Sequence, residues 1–492
     1  MRKLLLASVA TLGFAGSAYA ASLVEVNPDA SPPAMGTTGG VLATNPLTAW
    51  NAPKTNPDPG KVIVHISGIV DIDAGGGIGN TYNGQAGTPN AAAKSDHYGM
   101  GGFYRLYIGF DGKLANGMIY GSNSEMRTTF AGQNGVAGGY AGVTGTQQNG
   151  SANSTAELWY VRRAYVYMGA PNVGLFRIGQ GDGVTSLFNQ PSITTGEQYD
   201  TGQWDGNFPD VAAPGNASLA WAFNDTGNEY DPLKIVYMTP SFAGFVFAVD
   251  FAPNSNALQS GDESNNAASG GLANQSSSTL SSDWARPRNT FEVGGRYTGT
   301  LGPVSIEASL ALQKSGVVGN ASLPPSPNAG VTKFKGVSAI DTGVGLTMFG
   351  ASIFGHYYGG TMNGVVTPQA EIPGRSKDGQ SFVYGAMWTG GPWTVGASMY
   401  QFESEGSAAT VSGPIPAGFP GAGTTVTLGN RVERGFDTGF TYNLAPGCNI
   451  LADYIIGWRH QVGVNFVDPA GSPRNGNQTY IAGVVVSTAF LW

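Results

Sequence analysis

Residues 157–182 read ELWYVRRAYVYMGAPNVGLFRIGQGD. They form a strand, a short turn at GAPNVG and a second strand. In that second strand Phe176 and Ile178 flank Arg177. Successive strand side chains point to opposite faces, so one face is greasy and the other carries a guanidinium. The chain then fails to turn back. More than forty residues pass before strand-like sequence returns at Tyr230, and the fifty-six residues between Arg177 and Lys234 hold eight acids and neither Lys nor Arg. Phe188, Trp204, Phe208, Trp221 and Phe223 lie in the same segment. A loop lying in water does not need five large aromatics, and long loops without regular structure are usually functional. This loop is expected to fold inward, aromatics against a wall and carboxylates toward a cavity.

The same rhythm runs through most of the chain. VIVHISGIVDID, from Val62, alternates strictly, and GFYRLYIGFDG pairs with NGMIYGSNSEMRT across a turn at Leu114. Short turns of one style recur at DGKLANG, GAPNVG, TPSFAGF, GTLGPVS, GLTMFGA, GGPWTVG and NLAPGCN. Seven such turns join fourteen strands in pairs, and the first strand (from 62) and the last (to 492) make sixteen. Eight long polar loops fall near 74–99, 129–156, 182–228, 254–288, 316–335, 360–379, 404–430 and 462–477. An even strand count with short turns on one rim and long loops on the other is the pattern of an antiparallel outer-membrane β-barrel. In lipid every backbone polar group must be paired within the protein, and a closed barrel does so without edges. TYIAGVVVSTAFLW, ending at Trp492, reads as an apolar last strand closing against the first.

Composition agrees. Only 11% of the 492 residues are charged, against about 25% in an ordinary soluble domain. Gly numbers 76, and mean hydropathy is −0.08. That excludes a bundle of apolar membrane helices and suits a sheet with one non-aqueous face. The formal net charge of −8 argues against nucleic-acid binding. Cys448 stands alone, so no disulfide within the chain supports the fold.

Residues 1–20 read as a secretory signal: Arg2 and Lys3, the apolar run Leu4 to Gly16, then the cleavage-type Ala18-Tyr19-Ala20. Residues 21–60 hold seven prolines and few charges, a composition that resists helix and sheet. They read as a flexible extension, or alternatively as a segment folding back into the bore with Trp50 as anchor. The barrel domain is expected to span 61–492.

YRLYIGFDG, RRAYVYMG, GLFRIGQGDG, EYDPLKIVYMTPSFAGF and the terminal TAFLW, in that order across residues 61–492, resemble Gram-negative general porins. The resemblance implies a homotrimer of sixteen-stranded barrels in the outer membrane. It also implies periplasmic short turns, external long loops, a third loop folded into the lumen, and passive passage of small hydrophilic solutes and ions. Two features depart from the family. Its chains often end in Phe rather than Trp, and the proline-rich extension is not typical of it.

Family and chemistry suggest the same site. A guanidinium costs roughly 2–4 kcal/mol at the lipid midplane, so alternation turns Arg105, Arg127 and Arg177 inward. Arg162 and Arg163 point to opposite sides. Tyr165 and Tyr167 suit an outer aromatic girdle, which puts Arg162 inside, as the family alignment of RRAYV does. Lys234 extends the basic wall. Facing it, Asp200, Asp205 and Asp210 in mid-loop are favoured over Asp182 and Asp225 near the loop's ends. The excess of acids implies weak cation preference.

Other function classes fit less well. A sugar-specific channel would use Trp204 and Phe208 as a slide. A secreted aspartic protease would use two of the four Asp-Thr-Gly sequences, at Asp200, Asp225, Asp341 and Asp437, but none is followed by Ser or Thr. GQGDG lacks the Lys and helix of a phosphate loop. The four histidines have no metal-ligand spacing, and no cofactor is expected.

Overall fold

The structure is a computed structural model. It describes residues 24–26, 55–79, 98–129, 158–188, 233–253, 278–279, 287–317, 319–320, 336–361, 378–404, 430–445, 447–461 and 478–491. Sixteen strands build the wall. They are β1 (Val62–Gly79), β2 (Tyr98–Lys113), β3 (Ile119–Thr129), β4 (Leu158–Ala170) and β5 (Gly174–Gln180). A short helix, α1 (Val184–Phe188), precedes β6 (Leu233–Met238), β7 (Phe245–Ala252), β8 (Pro287–Leu301) and β9 (Val304–Val317). Then come β10 (Ser338–Met348), β11 (Ala351–Thr361), β12 (Gly379–Gly390) and β13 (Trp393–Ser404). The last are β14 (Arg431–Ala445), β15 (Cys448–Gln461) and β16 (Gln478–Leu491).

Each strand pairs antiparallel with its neighbours in sequence, and the ring closes where β16 pairs with β1, Phe490 opposite Val70. Closure leaves no unpaired edge in the ring, the hazard an apolar terminal strand would otherwise pose. Beyond the ring, Val24–Val26 lies parallel to the start of β1, and Ser278–Thr279 pairs with Gly319–Asn320.

The seven short turns have a common cause. Each contains a glycine with positive φ: Gly117, Gly174, Gly244, Gly302, Gly350, Gly391 and Gly447. At the β10–β11 turn, Phe349 (φ 53°) precedes Gly350 (φ 80°). Two positive-φ residues make the tight hairpin turn whose twist matches its flanking strands. The strand ends that the long connections join all lie on the opposite rim.

Alternation decides which face meets which solvent. Along β5, Phe176 (48% exposed) and Ile178 (50%) face out, while Arg177 (2%) faces in. Ile66, Val166, Met168, Ile235, Phe247, Leu310, Ile353 and Val484 are likewise exposed on the outer surface. So large a continuous apolar band requires a non-aqueous surrounding. Aromatic pairs ring it near the short-turn rim: Phe110–Tyr120 (centroids 6.4 Å apart), Phe176–Tyr237 (4.7 Å), Phe245–Tyr297 (4.7 Å) and Trp393–Tyr442 (4.5 Å). They match the interfacial girdle of membrane barrels.

The main apolar cluster lies inside the ring. Val184, Leu187 and Phe188 of α1 pack with Tyr165, Tyr167, Leu175, Val236, Met238, Ala248 and Ala311 of the wall. Burying each of those three α1 side chains contributes about 1.5–3 kcal/mol. β5, β6 and β7 have only 7, 6 and 8 residues, so the chain leaves the wall early there. The third long connection thereby enters the bore at its start.

Candidate functional site

The entry of that loop is clamped from both sides. On the β4 side, Arg163 forks onto Asp182, Nε to Oδ2 at 2.5 Å and Nη2 to Oδ1 at 2.7 Å. Its third nitrogen, Nη1, donates to Glu125 of β3. A bidentate guanidinium–carboxylate pair fixes orientation as well as charge. Arg177 donates to the Asp182 carbonyl and lies 4.7 Å over the Tyr165 ring. Burial pushes the Asp182 carboxyl up, but Arg163, with Arg177 and Arg162 behind it, outweighs that and holds it at about 2.

On the far side the polarity inverts. Wall carboxylates there hold backbone N–H groups of the loop. Asp250 Oδ2 of β7 accepts the Val184 N–H at 2.6 Å, and Glu292 Oε2 of β8 accepts the Thr185 N–H at 2.7 Å. These are first-turn donors with no partner inside the helix. Gln313 Nε2 donates to Glu292 Oε1 at 3.1 Å. The approach is close because residue 183 is glycine. A Cβ there would stand 2.6 Å from both Glu292 oxygens and 2.8 Å from Asp250 Oδ2.

Each residue expected in the site has a definite standing. Arg105 on β2, Arg177 on β5 and Lys234 on β6 are buried and face inward. Arg127 is opposite Arg105 in the β2–β3 register, but its side chain lies outside the described residues. Asp200, Asp205 and Asp210 lie outside them too, as do Trp204 and Phe208.

The Arg162–Arg163 pair differs from expectation. Val161 is opposite Met126 and Arg163 opposite Glu125, so Arg162 is one extra residue in β4. Such a bulge resets the alternation. Arg163 therefore faces in, and so do Tyr165 and Tyr167, which had been expected on the outer girdle. Tyr165 lies beneath Arg177, and the Tyr167 hydroxyl donates to Asp111. Arg162 is half-buried, and its charge still reaches Glu125 and Asp182.

Sequence reasoning also missed Glu125, Asp250 and Glu292. They belong to the wall, and only the loop's path makes them contacts. Asp182 is visible in the sequence, but its place at the loop's end gives no sign there of its contact with Arg163. Further round the ring, Arg296 meets Glu307 at 3.0 Å, and His356 meets Asp341 at 2.9 Å. Asp341 and Asp437 stand on β10 and β14, four strands apart, so these two Asp-Thr-Gly carboxylates form no shared-proton pair. No group of His, Cys, Asp and Glu suited to a metal occurs among the described residues.

The family model for the Gram-negative porin matches residues 6–455. A comparison with curated proteins found no match. Among solved structures, the chain is similar to an anion-selective porin from Comamonas acidovorans, with 16% identity and a TM-score of 0.47 over 88% of this chain and 100% of that one. The outer membrane channel DcaP of Acinetobacter baumannii gives 11% identity and 0.47, covering 88% and 97%. OmpT of Vibrio cholerae, in its trimer form, gives 10% and 0.45, covering 88% and 100%.

Proposed function

The chain belongs to the Gram-negative porins and is an outer-membrane channel; on that premise we propose that it passes small hydrophilic solutes and ions by passive diffusion, with a weak preference for cations. One observation carries the preference. Among the described residues, ten buried carboxylates (Asp71, Asp111, Glu125, Asp182, Asp250, Glu292, Glu307, Asp341, Asp437 and Asp453) line or enter the bore, against five buried Lys and Arg (Arg105, Arg163, Arg177, Lys234 and Arg296). Rings of side-chain charge bias ion choice, and low-dielectric walls focus the field they create.

The acids of mid-loop extend this reading. Asp200, Asp205 and Asp210 add to the negative side, while Arg105, Arg127, Arg163, Arg177 and Lys234 form the basic side of the constriction, with Arg162 displaced from it by the bulge. The Debye length is about 8 Å at physiological salt, so opposed rows act on each other across a narrow gap. Residues 1–20 serve as the export signal, and the assembly is a homotrimer as in the general porins.

The test is the reversal potential across a planar bilayer in a salt gradient. The wild type is expected to give the sign for cations. Neutralising Asp200, Asp205 and Asp210 together is expected to raise relative anion permeability. A wild-type potential of anionic sign contradicts the preference, and an unmoved potential in the triple variant removes those three residues from the constriction.

A further inference from the structure

The chain does not enter β1 from outside the ring. Arg105, Tyr107 and Asp111 share the inner face of β2, as His65 and Tyr167 share the inner faces of β1 and β4, and all five are buried. Thr55 reaches Asp111 on that side. Its N–H donates to Asp111 Oδ2 at 2.6 Å and its hydroxyl to the same oxygen at 2.7 Å. Tyr167 donates to the other oxygen, and His65 Nε2 stands 3.6 Å from Oδ2.

The next residues lead down to the rim. Lys113 Nζ lies 3.4 Å from Asn56 Oδ1, and Pro57 is buried. The Lys61 N–H donates to the Asp58 carbonyl at 3.0 Å, and the Gly60 N–H to the Lys113 carbonyl at 2.7 Å. Asp111 is opposite Ile63 in the β1–β2 register. Thr55 is thus level with the second residue of β1, inside the wall, and residues 55–60 descend the inner face before turning up into the strand.

We propose that residues 55–60, latched by Thr55 to the Asp111–Tyr167 pair, form a second constriction of the bore at the short-turn rim, separate from the loop clamp around Asp182. Backbone and side chains placed there take up cross-section that an empty rim would leave to solutes. A carboxylate accepting three donors makes a charge-assisted latch stronger than one between neutral groups. The device limits the size of solute entering from the short-turn side, while the α1 clamp narrows the bore from the other. This inference rests on the channel reading.

The experiment uses the full chain and Thr55→Pro. Proline at 55 removes the N–H and the hydroxyl together and leaves every wall residue in place. Unit conductance is recorded with poly(ethylene glycol) of graded size added to one side at a time. In the wild type, polymers on the short-turn side are expected to be excluded at a smaller size than those on the long-loop side. Thr55→Pro is expected to raise unit conductance and abolish that difference, and Asp111→Asn to do the same to a smaller degree. Unchanged conductance and exclusion in Thr55→Pro overturns the second constriction. If Asp111→Asn fails to fold, Thr55→Pro alone decides. Absence of channels in the wild type refutes the channel reading itself and is recognised separately.

Discussion

Two arcs of the same wall treat their inner faces in opposite ways. From β2 to β8 the inner face carries Arg105, Arg163, Arg177, Lys234 and Arg296, each among carboxylates, and there the third loop is held. Among the described residues of β10 to β13 there is no Lys or Arg. Inward positions in that arc include Phe354, Tyr358, Val383, Met387, Tyr400 and Phe402, all buried. Register makes them one patch: Tyr358 and Phe402 both pair with Ser381, and Tyr400 pairs with Val383. A membrane barrel with a water-filled lumen alternates apolar-out with polar-in. Both arcs place apolar side chains inward, but the charged arc packs Leu175, Val236 and Met238 beneath α1, whereas the aromatic arc sets its rings among Asp341, Ser352, His356, Ser381 and Ser398 with no Lys or Arg beside them. Among the described residues the buried Lys and Arg are therefore confined to one side of the ring, where Arg163 and Arg177 also hold the loop entry.

The contrast is broken most strongly at Arg163. Removing one member of a buried ion pair costs about 3–5 kcal/mol, because the partner is left charged and unpaired. Arg163→Ala strands both Asp182 and Glu125. It is expected to free the loop entry, seen as a rise in open-channel current noise and a loss of stable unit conductance. Asp341→Asn, a charge removed from the other arc, is expected to leave the noise unchanged. Equal noise in the two variants would mean that the loop is not held where the charges are.

A smaller effect sharpens the same contrast. Phe402→Ala leaves a cavity in the aromatic arc at a cost of about 3–5 kcal/mol, which is expected to lower the thermal unfolding temperature in detergent. Its reversal potential is expected to match the wild type, since no charge changes. A shift in selectivity would show that the aromatic arc also shapes the field.

The two arcs differ in legibility for the same reason. Where grease and charge alternate, as in Phe176-Arg177-Ile178, inside and outside can be read directly. In ASIFGHYYGG of β11 both faces hold aromatics, Phe354 and Tyr358 inward and Tyr357 outward. Alternation there fixes the strand but not its sides. The turns were legible because each contains a glycine. The β10–β11 turn, whose flanking strands are rich in Gly, closes through Phe349-Gly350.

Arg163 was not legible, because a one-residue bulge at Arg162 cannot be seen in a sequence that alternates equally well in either phase. Asp250 and Glu292 were hidden differently. As wall acids they look like any others, and only the path of residues 181–185 gives them N–H groups to hold. The proline content of residues 21–60 reads as a flexible extension or as a segment folding back into the bore, and it says nothing of a carboxylate waiting at Asp111 for Thr55.

The barrel is a closed ring, greasy outside and wet within, narrowed where its third loop enters. Single-channel recording of the purified wild-type chain in a planar bilayer tests it most directly. Discrete, long-lived conductance steps of uniform size are predicted. A chain that stays monodisperse in buffer without detergent and leaves the bilayer electrically silent would contradict it.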